Sequence, residues 1–218
     1  GYMKKSMNKH LAIFSAMLNY AFKDGFKFKS SVLNHFPKLH VKREDMATEI
    51  YLTEEELQAL YEMPLTGKED EVRDVFLAGC YTSQRFSDYS RINESNFSMH
   101  DGISIITLTQ EKTGTEVSIP IINNNLLAIL RKYDLNLPDI DNATLNQTIK
   151  VIMKRLSESV PSLRQEMVTR LTISQRAMEA DGRKTFKRNA NGDVVVPRYD
   201  LVTSHTARRT GITLMYPS

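Results

Sequence analysis

Residues 69–88 read EDEVRDVFLAGCYTSQRFSD, and this stretch decides the fold. Val72, Val75, Phe76 and Gly79 recur at helical spacing, which predicts a helix from about Glu69 to Cys80 with those residues on its inner side. The apolar run Val75 to Tyr81 suits a helix enclosed by a core, and the chain's single cysteine, Cys80, reads as a buried thiol within it. A helix so placed ends in Thr82-Ser83-Gln84-Arg85-Phe86-Ser87-Asp88. Arg85 is then a long cation at the mouth of a rigid element, followed by Ser87 and Asp88, which are suited to cap the next helix. It reads either as a working cation or as a turn arginine paired with Asp88.

Toward the N-terminus, Thr53 followed by Glu56 is a capping box, and Leu57 and Leu60 then open an apolar stripe, so a domain begins near Leu52. Before it, Gly25 to Glu49 is basic, polar and weakly periodic, with Pro37 inside it, and reads as a linker. Leu11, Phe14, Leu18 and Ala21 or Phe22 predict an amphipathic helix from about Lys4 to Asp24, the remnant of a helical domain. Toward the C-terminus, Ile103, Ile105 and Thr107, then Val117, Ile119 and Ile121, alternate around Lys112-Thr113-Gly114 and predict a β-hairpin across Gly102 to Ile122. Further helices are expected at Asn124 to Tyr133, Ala143 to Ser157, capped from Asp141 or Asn142, and Ser162 to Thr172. Gly182, Asn189 to Asp193 and Val194 to Val196 suggest an exposed, basic, partly β-structured excursion before a last helix. The fold class is α+β, mostly α.

A chain of 218 residues, 41% of them hydrophobic, can bury a real core. No run of about 18 apolar residues exists to span a bilayer, and no basic-then-apolar leader opens the chain, so the expected location is cytoplasmic, with no membrane partner. One cysteine excludes an intrachain disulfide and any multi-cysteine zinc cluster. The net charge of +3 conceals a pattern: residues 1–50 carry +5, 51–80 carry −6, 81–149 carry −3 and 150–218 carry +7. Basic ends about an acidic middle fit either a polyanion gripped by two segments or an ordinary solvated surface.

Thr203-Ser204-His205-Thr206-Ala207-Arg208-Arg209-Thr210 carries the most chemistry. With Ser204 as N-cap, His205 and Arg208 share the first turns of one helical face, where free amides and the positive dipole end attract phosphate. A proton-exchanging imidazole and a fork-shaped cation then address one anion. The plainer alternative is a polar helix start with a solvent-facing basic edge. Lys112, at the hairpin tip, taken alone is a solubilising charge.

Arg85, Lys112 and the His205-x-x-Arg208 pair occur in the order and contexts of tyrosine recombinases, the phage integrase family. Gly79-Cys80-Tyr81-Thr82-Ser83-Gln84-Arg85-Phe86-Ser87-Asp88 and Ser204-His205-Thr206-Ala207-Arg208-Arg209-Thr210 each resemble a family signature. The resemblance implies that residues 1–28 are the last helix of a core-binding domain, 29–50 the linker and 51–218 a C-terminally incomplete catalytic domain. It implies site-specific recombination through a 3′-phosphotyrosyl intermediate, as in integrases of mobile elements, with Arg85 and Arg208 as the phosphate clamp, Lys112 as general acid and His205 assisting. Double-stranded DNA is the implied partner, with self-association as a tetramer on paired sites and nucleoid association. No cofactor or metal is implied. Arg209, Lys184, Lys187 and Arg188 join Arg85 and Arg208 as candidate DNA contacts. The family's attacking tyrosine lies several helical turns beyond His-x-x-Arg, so it is expected outside this chain. Tyr216 would sit ~12 Å along and ~80° round the helix from Arg208, at a helix end stopped by Pro217, and reads as a packing residue. Thr82-Ser83 stands where many relatives carry Thr-Gly. The alternative is a DNA-binding regulator that keeps the fold without catalysis.

Overall fold

The computed structural model describes residues 4–32, 36, 38–40 and 48–215. Tyr216, Pro217 and part of the expected linker, Pro37 included, lie outside the described residues. The chain divides into two compact units, residues 1–48 and 49–218.

The first unit is built on helix α1 (Lys4–Lys23). The Asn8 side chain bonds the backbone of Leu39 in both directions at 2.8 Å, and Phe14 meets Phe36 edge-on at 5.4 Å, so part of the chain after the helix folds back upon it.

The second unit opens at Leu52, whose N–H donates to Thr210 Oγ1 at 3.0 Å. The expected capping box is present: Thr53 Oγ1 accepts from Glu56 N–H and Glu56 returns the bond, which starts α2 (Glu54–Glu62). Next comes α3 (Gly67–Thr82), two residues earlier in its start than its apolar stripe indicates. Every residue from Val72 to Cys80 is buried, because α3 is packed by α2, by the single turn α4 (Phe86–Tyr89), by α5 (Asn124–Lys132), by α6 (Asn142–Leu156) and by α8 (Ser204–Met215). A helix covered on all sides by apolar partners shows little amphipathic pattern, which explains its near-continuous apolar run.

At the acidic start of α3 a charge network replaces apolar packing. Asp74, 1% exposed, accepts from Arg73 Nε at 2.9 Å, from Lys132 Nζ at 2.6 Å and from Tyr133 Oη at 2.9 Å. A carboxylate so enclosed survives in a core because each oxygen has partners.

The expected hairpin belongs to a three-stranded antiparallel sheet, β1 (Phe97–His100), β2 (Ile103–Thr109) and β3 (Glu116–Pro120), in that order. The first strand joins through Asp101-Gly102, both at positive φ, the geometry of a tight hairpin turn. Ile106 pairs with Ile119 on the face turned to the core. Helix α6 starts from Asp141, whose carboxylate accepts from the N–H groups of Ala143 and Thr144, as expected.

One expected helix is absent. Across Ser162 to Thr172 the chain makes a 3-10 turn (Pro161–Arg164) and then β4 (Glu166–Val168), which pairs antiparallel with β5 (Val195–Pro197). Strand pairing with a distant partner overrides the local helical spacing. The helix comes later, as α7 (Ile173–Ala180), capped by Thr172 and Gln175. A 3-10 turn (Arg198–Leu201) then leads to α8. Among the described residues no helix is long and apolar enough to cross a membrane.

Candidate functional site

The C-terminal end of α3 sets Arg85. Ser83 stops the helix in the left-handed conformation, φ 57°, with its N–H donating to the Gly79 carbonyl at 3.1 Å. Arg85 follows as the residue before α4, and its carbonyl accepts from Asp88 and Tyr89 N–H groups, both at 2.9 Å. Its backbone is therefore fixed on both sides. The half-buried side chain reaches across to the sheet, where Nη1 lies 3.4 Å from Gln110 Oε1. Asp88, 2% exposed, does not take Arg85 as its ion pair: its Oδ1 accepts from Glu111 N–H at 2.9 Å and faces Arg91 at 3.7 Å. Its Oδ2 has no hydrogen-bond partner.

Arg208 and His205 ride on α8. That helix begins at Ser204, but the cap is one residue earlier than expected: the Thr203 carbonyl accepts from Ala207 N–H at 3.3 Å, and the Thr203 N–H bonds Thr206 Oγ1 at 3.1 Å. Ser204 instead donates its N–H to Asn146 Oδ1 on α6 at 2.8 Å. The shift leaves His205 and Arg208 on one face. Gly211 seats α8 on the end of α3, because any Cβ there would come closer than 3.0 Å to the Cys80 carbonyl oxygen and to Ser83 Oγ. This close crossing, three residues after Arg208, carries it to the segment that holds Arg85.

The charges show the convergence. Burial, then the Arg85 guanidinium, holds Arg208 below its ordinary range, with Asp88 opposing. His205 is an exposed residue whose partial desolvation lowers it from the usual imidazole value; Arg209, Arg208 and Arg85 push the same way and Glu49 opposes. The structure thus brings Arg85, His205 and Arg208 within electrostatic reach of one another. Arg208 Nη1 is buried and has no hydrogen-bond partner.

Lys112 sits exposed in the turn between β2 and β3. The same turn meets the Arg85 segment through Gln110 Nε2, which donates to Gln84 Oε1 at 2.8 Å, and through the Glu111 N–H on Asp88. Arg209 is engaged by Glu49 at 2.8 Å. In the excursion, Lys184 lies 5.0 Å over the Phe186 ring, Lys187 pairs with Glu166, and Arg188 grips Glu179 at 2.8 and 2.9 Å. Those cations have local partners, unlike Arg208. Gln84, Gln110 and Asp88 complete the site; Gln84 and Gln110 carry no local motif that would mark them. Among the described residues no group of three or more His, Cys, Asp or Glu side chains is placed to hold a metal ion.

No protein-family model matches the chain, and no curated protein matches it. Solved structures similar to it include the XerH site-specific recombinase bound to its difH substrate (12% identity, TM-score 0.47, covering 76% of this chain and 42% of that one). Others are a lambda integrase tetramer on a Holliday junction (15%, 0.49, 94% and 52%) and the Tn1549 transposon integrase with circular intermediate DNA (13%, 0.49, 99% and 67%). The chain therefore spans about half the length of the first two proteins.

Proposed function

We propose that this chain carries the phosphate-activating part of a tyrosine recombinase, which breaks and rejoins duplex DNA at specific sites. The observation behind this reading is the Arg208 guanidinium, buried at Nη1 without a partner and within electrostatic reach of the Arg85 guanidinium, on the same helical face as His205. Like charges held near each other, with the neighbouring Asp88 carboxylate bonded to neither, favour an anion that joins them. In transesterification, a tyrosine oxygen forms a bond to phosphorus and the bond from phosphorus to the 5′ oxygen breaks. Negative charge grows on the nonbridging oxygens, where Arg85 and Arg208 act. The departing 5′ oxygen takes a proton from Lys112, and His205, neutral over more of the pH range than an ordinary imidazole, accepts and holds protons at the phosphate. The phosphotyrosyl bond keeps the energy of the broken linkage, so rejoining requires no nucleotide.

The test is binding. The chain should retard duplex DNA, with log affinity falling linearly against log salt, and Arg85→Ala and Arg208→Ala should each weaken it and lower the slope by about 1. Sulfate should raise the Tm of the native chain and not of Arg208→Ala. Equal salt slopes in all three proteins refute the proposal.

A further inference from the structure

The turn between β2 and β3 runs through Gln110, Glu111, Lys112 and Thr113, and the residues around Lys112 are all anchored. Gln110 Oε1 accepts from Thr113 Oγ1 at 2.9 Å and from Arg85 Nη1 at 3.4 Å, while its Nε2 donates to Gln84 Oε1 at 2.8 Å. Its backbone closes the turn as well, with its N–H on the Thr115 carbonyl and its carbonyl on Gly114 N–H, both at 2.8 Å. Glu111 gives its N–H to Asp88 at 2.9 Å and faces Arg91 at 3.6 Å.

We propose that Gln110 is a positioning residue whose amide couples the Lys112 turn to Arg85, so that an anion taken by Arg85 and the Lys112 ammonium act as one unit. The inference rests on the phosphate-binding reading above and deepens it. The chemistry asks for an amide. Arg85 and Thr113 require an acceptor and Gln84 requires a donor, and one carboxamide supplies both. At 3.4 Å the Arg85 contact is at the long end for a hydrogen bond and involves a neutral acceptor, so a phosphate oxygen displaces it readily. A carboxylate in the same place would hold the guanidinium back from phosphate. Once Arg85 turns to an anion, Oε1 keeps Thr113 and Nε2 keeps Gln84. The turn, and Lys112 with it, stays registered over the arginine.

The experiment uses the whole 218-residue chain and a duplex DNA of arbitrary sequence. Lysines are reductively methylated with carbon-13, and the Lys112 resonance is assigned by its loss in Lys112→Arg. DNA should shift that resonance in the native chain and leave it in place in Gln110→Met, which keeps the side-chain length and removes both hydrogen-bonding functions. A double-mutant cycle between Gln110→Met and Lys112→Ala on DNA affinity should depart from additivity by about three- to tenfold. If Gln110→Met does not fold, Gln110→Asn, which withdraws the amide by one methylene, is read in the same way. Equal Lys112 shifts with additive affinities overturn the coupling while leaving DNA binding intact. A native chain that binds no duplex DNA overturns the functional reading, and this inference with it.

Discussion

Replacing Gly211 by alanine sets two effects against each other, and the structure decides the sign. In an ordinary helix interior the change stabilises by about 1 kcal/mol, because glycine has the greater backbone entropy to lose. Here the new methyl would lie closer than 3.0 Å to both the Cys80 carbonyl oxygen and Ser83 Oγ, and 3.2 Å from the Cys80 carbonyl carbon, where ordinary contact begins at 3.4 Å. Ser83 Oγ can rotate away; the carbonyl, in the last turn of α3, cannot. The two helices must part by roughly an ångström, an overpacking that costs up to about 3 kcal/mol. The net expectation is a loss of about 2 kcal/mol, or a Tm lower by roughly 4 to 8 °C. Urea unfolding followed by circular dichroism measures it, and Ser83→Ala with Gly211→Ala should recover only a fraction, since the carbonyl remains. Because Arg208 lies three residues before the crossing, the rise in Tm on adding sulfate should shrink too. A Gly211→Ala chain at least as stable as the native one refutes the close crossing and the placement of Arg208 that depends on it.

Ser83→Gly should stabilise by about 1 kcal/mol or less, because a side chain in the left-handed region is costly and glycine is not, and denaturant midpoints check it. Tyr89→Phe should leave stability unchanged or improved, since the buried hydroxyl has no partner; a loss above ~1 kcal/mol would reveal one. Asp74→Ala should destabilise by about 1 to 3 kcal/mol, as it leaves Arg73 Nε and the Tyr133 hydroxyl without their acceptor while Asp70 keeps Arg73 and Lys132 paired, and thermal unfolding reports it. His205 should titrate below the ordinary imidazole value of about 6.5 in a proton NMR series, and added phosphate should move it up. The folded chain takes up that proton less readily than the unfolded one, so its contribution to stability is fully present above about pH 6.5 and is lost as pH falls through the depressed value.

Local chemistry was legible where a few neighbouring residues settle the outcome. Thr53 with Glu56 and Asp141 with Thr144 make caps that need no tertiary partner, and both start helices where their side chains require. Two signals of the same kind lay in the chain unread: Asp101-Gly102 is a hairpin dipeptide that forms β1 and β2, and Thr172 with Gln175 is the capping box of α7. The exchange of a helix for β4 was not legible, because Glu166–Val168 is short and its partner, Val195–Pro197, is remote in sequence. Long-range pairing of short strands leaves no periodic trace. The site divides similarly. Arg85, Lys112, His205 and Arg208 stand out by residue type and local context, whereas Gln84 and Gln110 acquire meaning only when the sheet is laid against the end of α3.

The placement of Asp88 shows why the arginines remain available. A buried carboxylate near two guanidinium groups would ordinarily pair with one of them and lower its energy. In this fold Asp88 spends Oδ1 on the Glu111 N–H and on Arg91, and its Oδ2 remains unpaired while it still opposes the depression of Arg208. The negative charge therefore moderates the repulsion between Arg208 and Arg85 without occupying their donors. A direct Asp88–Arg208 pair would stabilise the free protein and compete with any incoming phosphate. Held as it is, the carboxylate offsets part of the repulsion in the cationic cluster of the folded chain, and on the phosphate-binding reading proposed above an anion from outside would offset the rest.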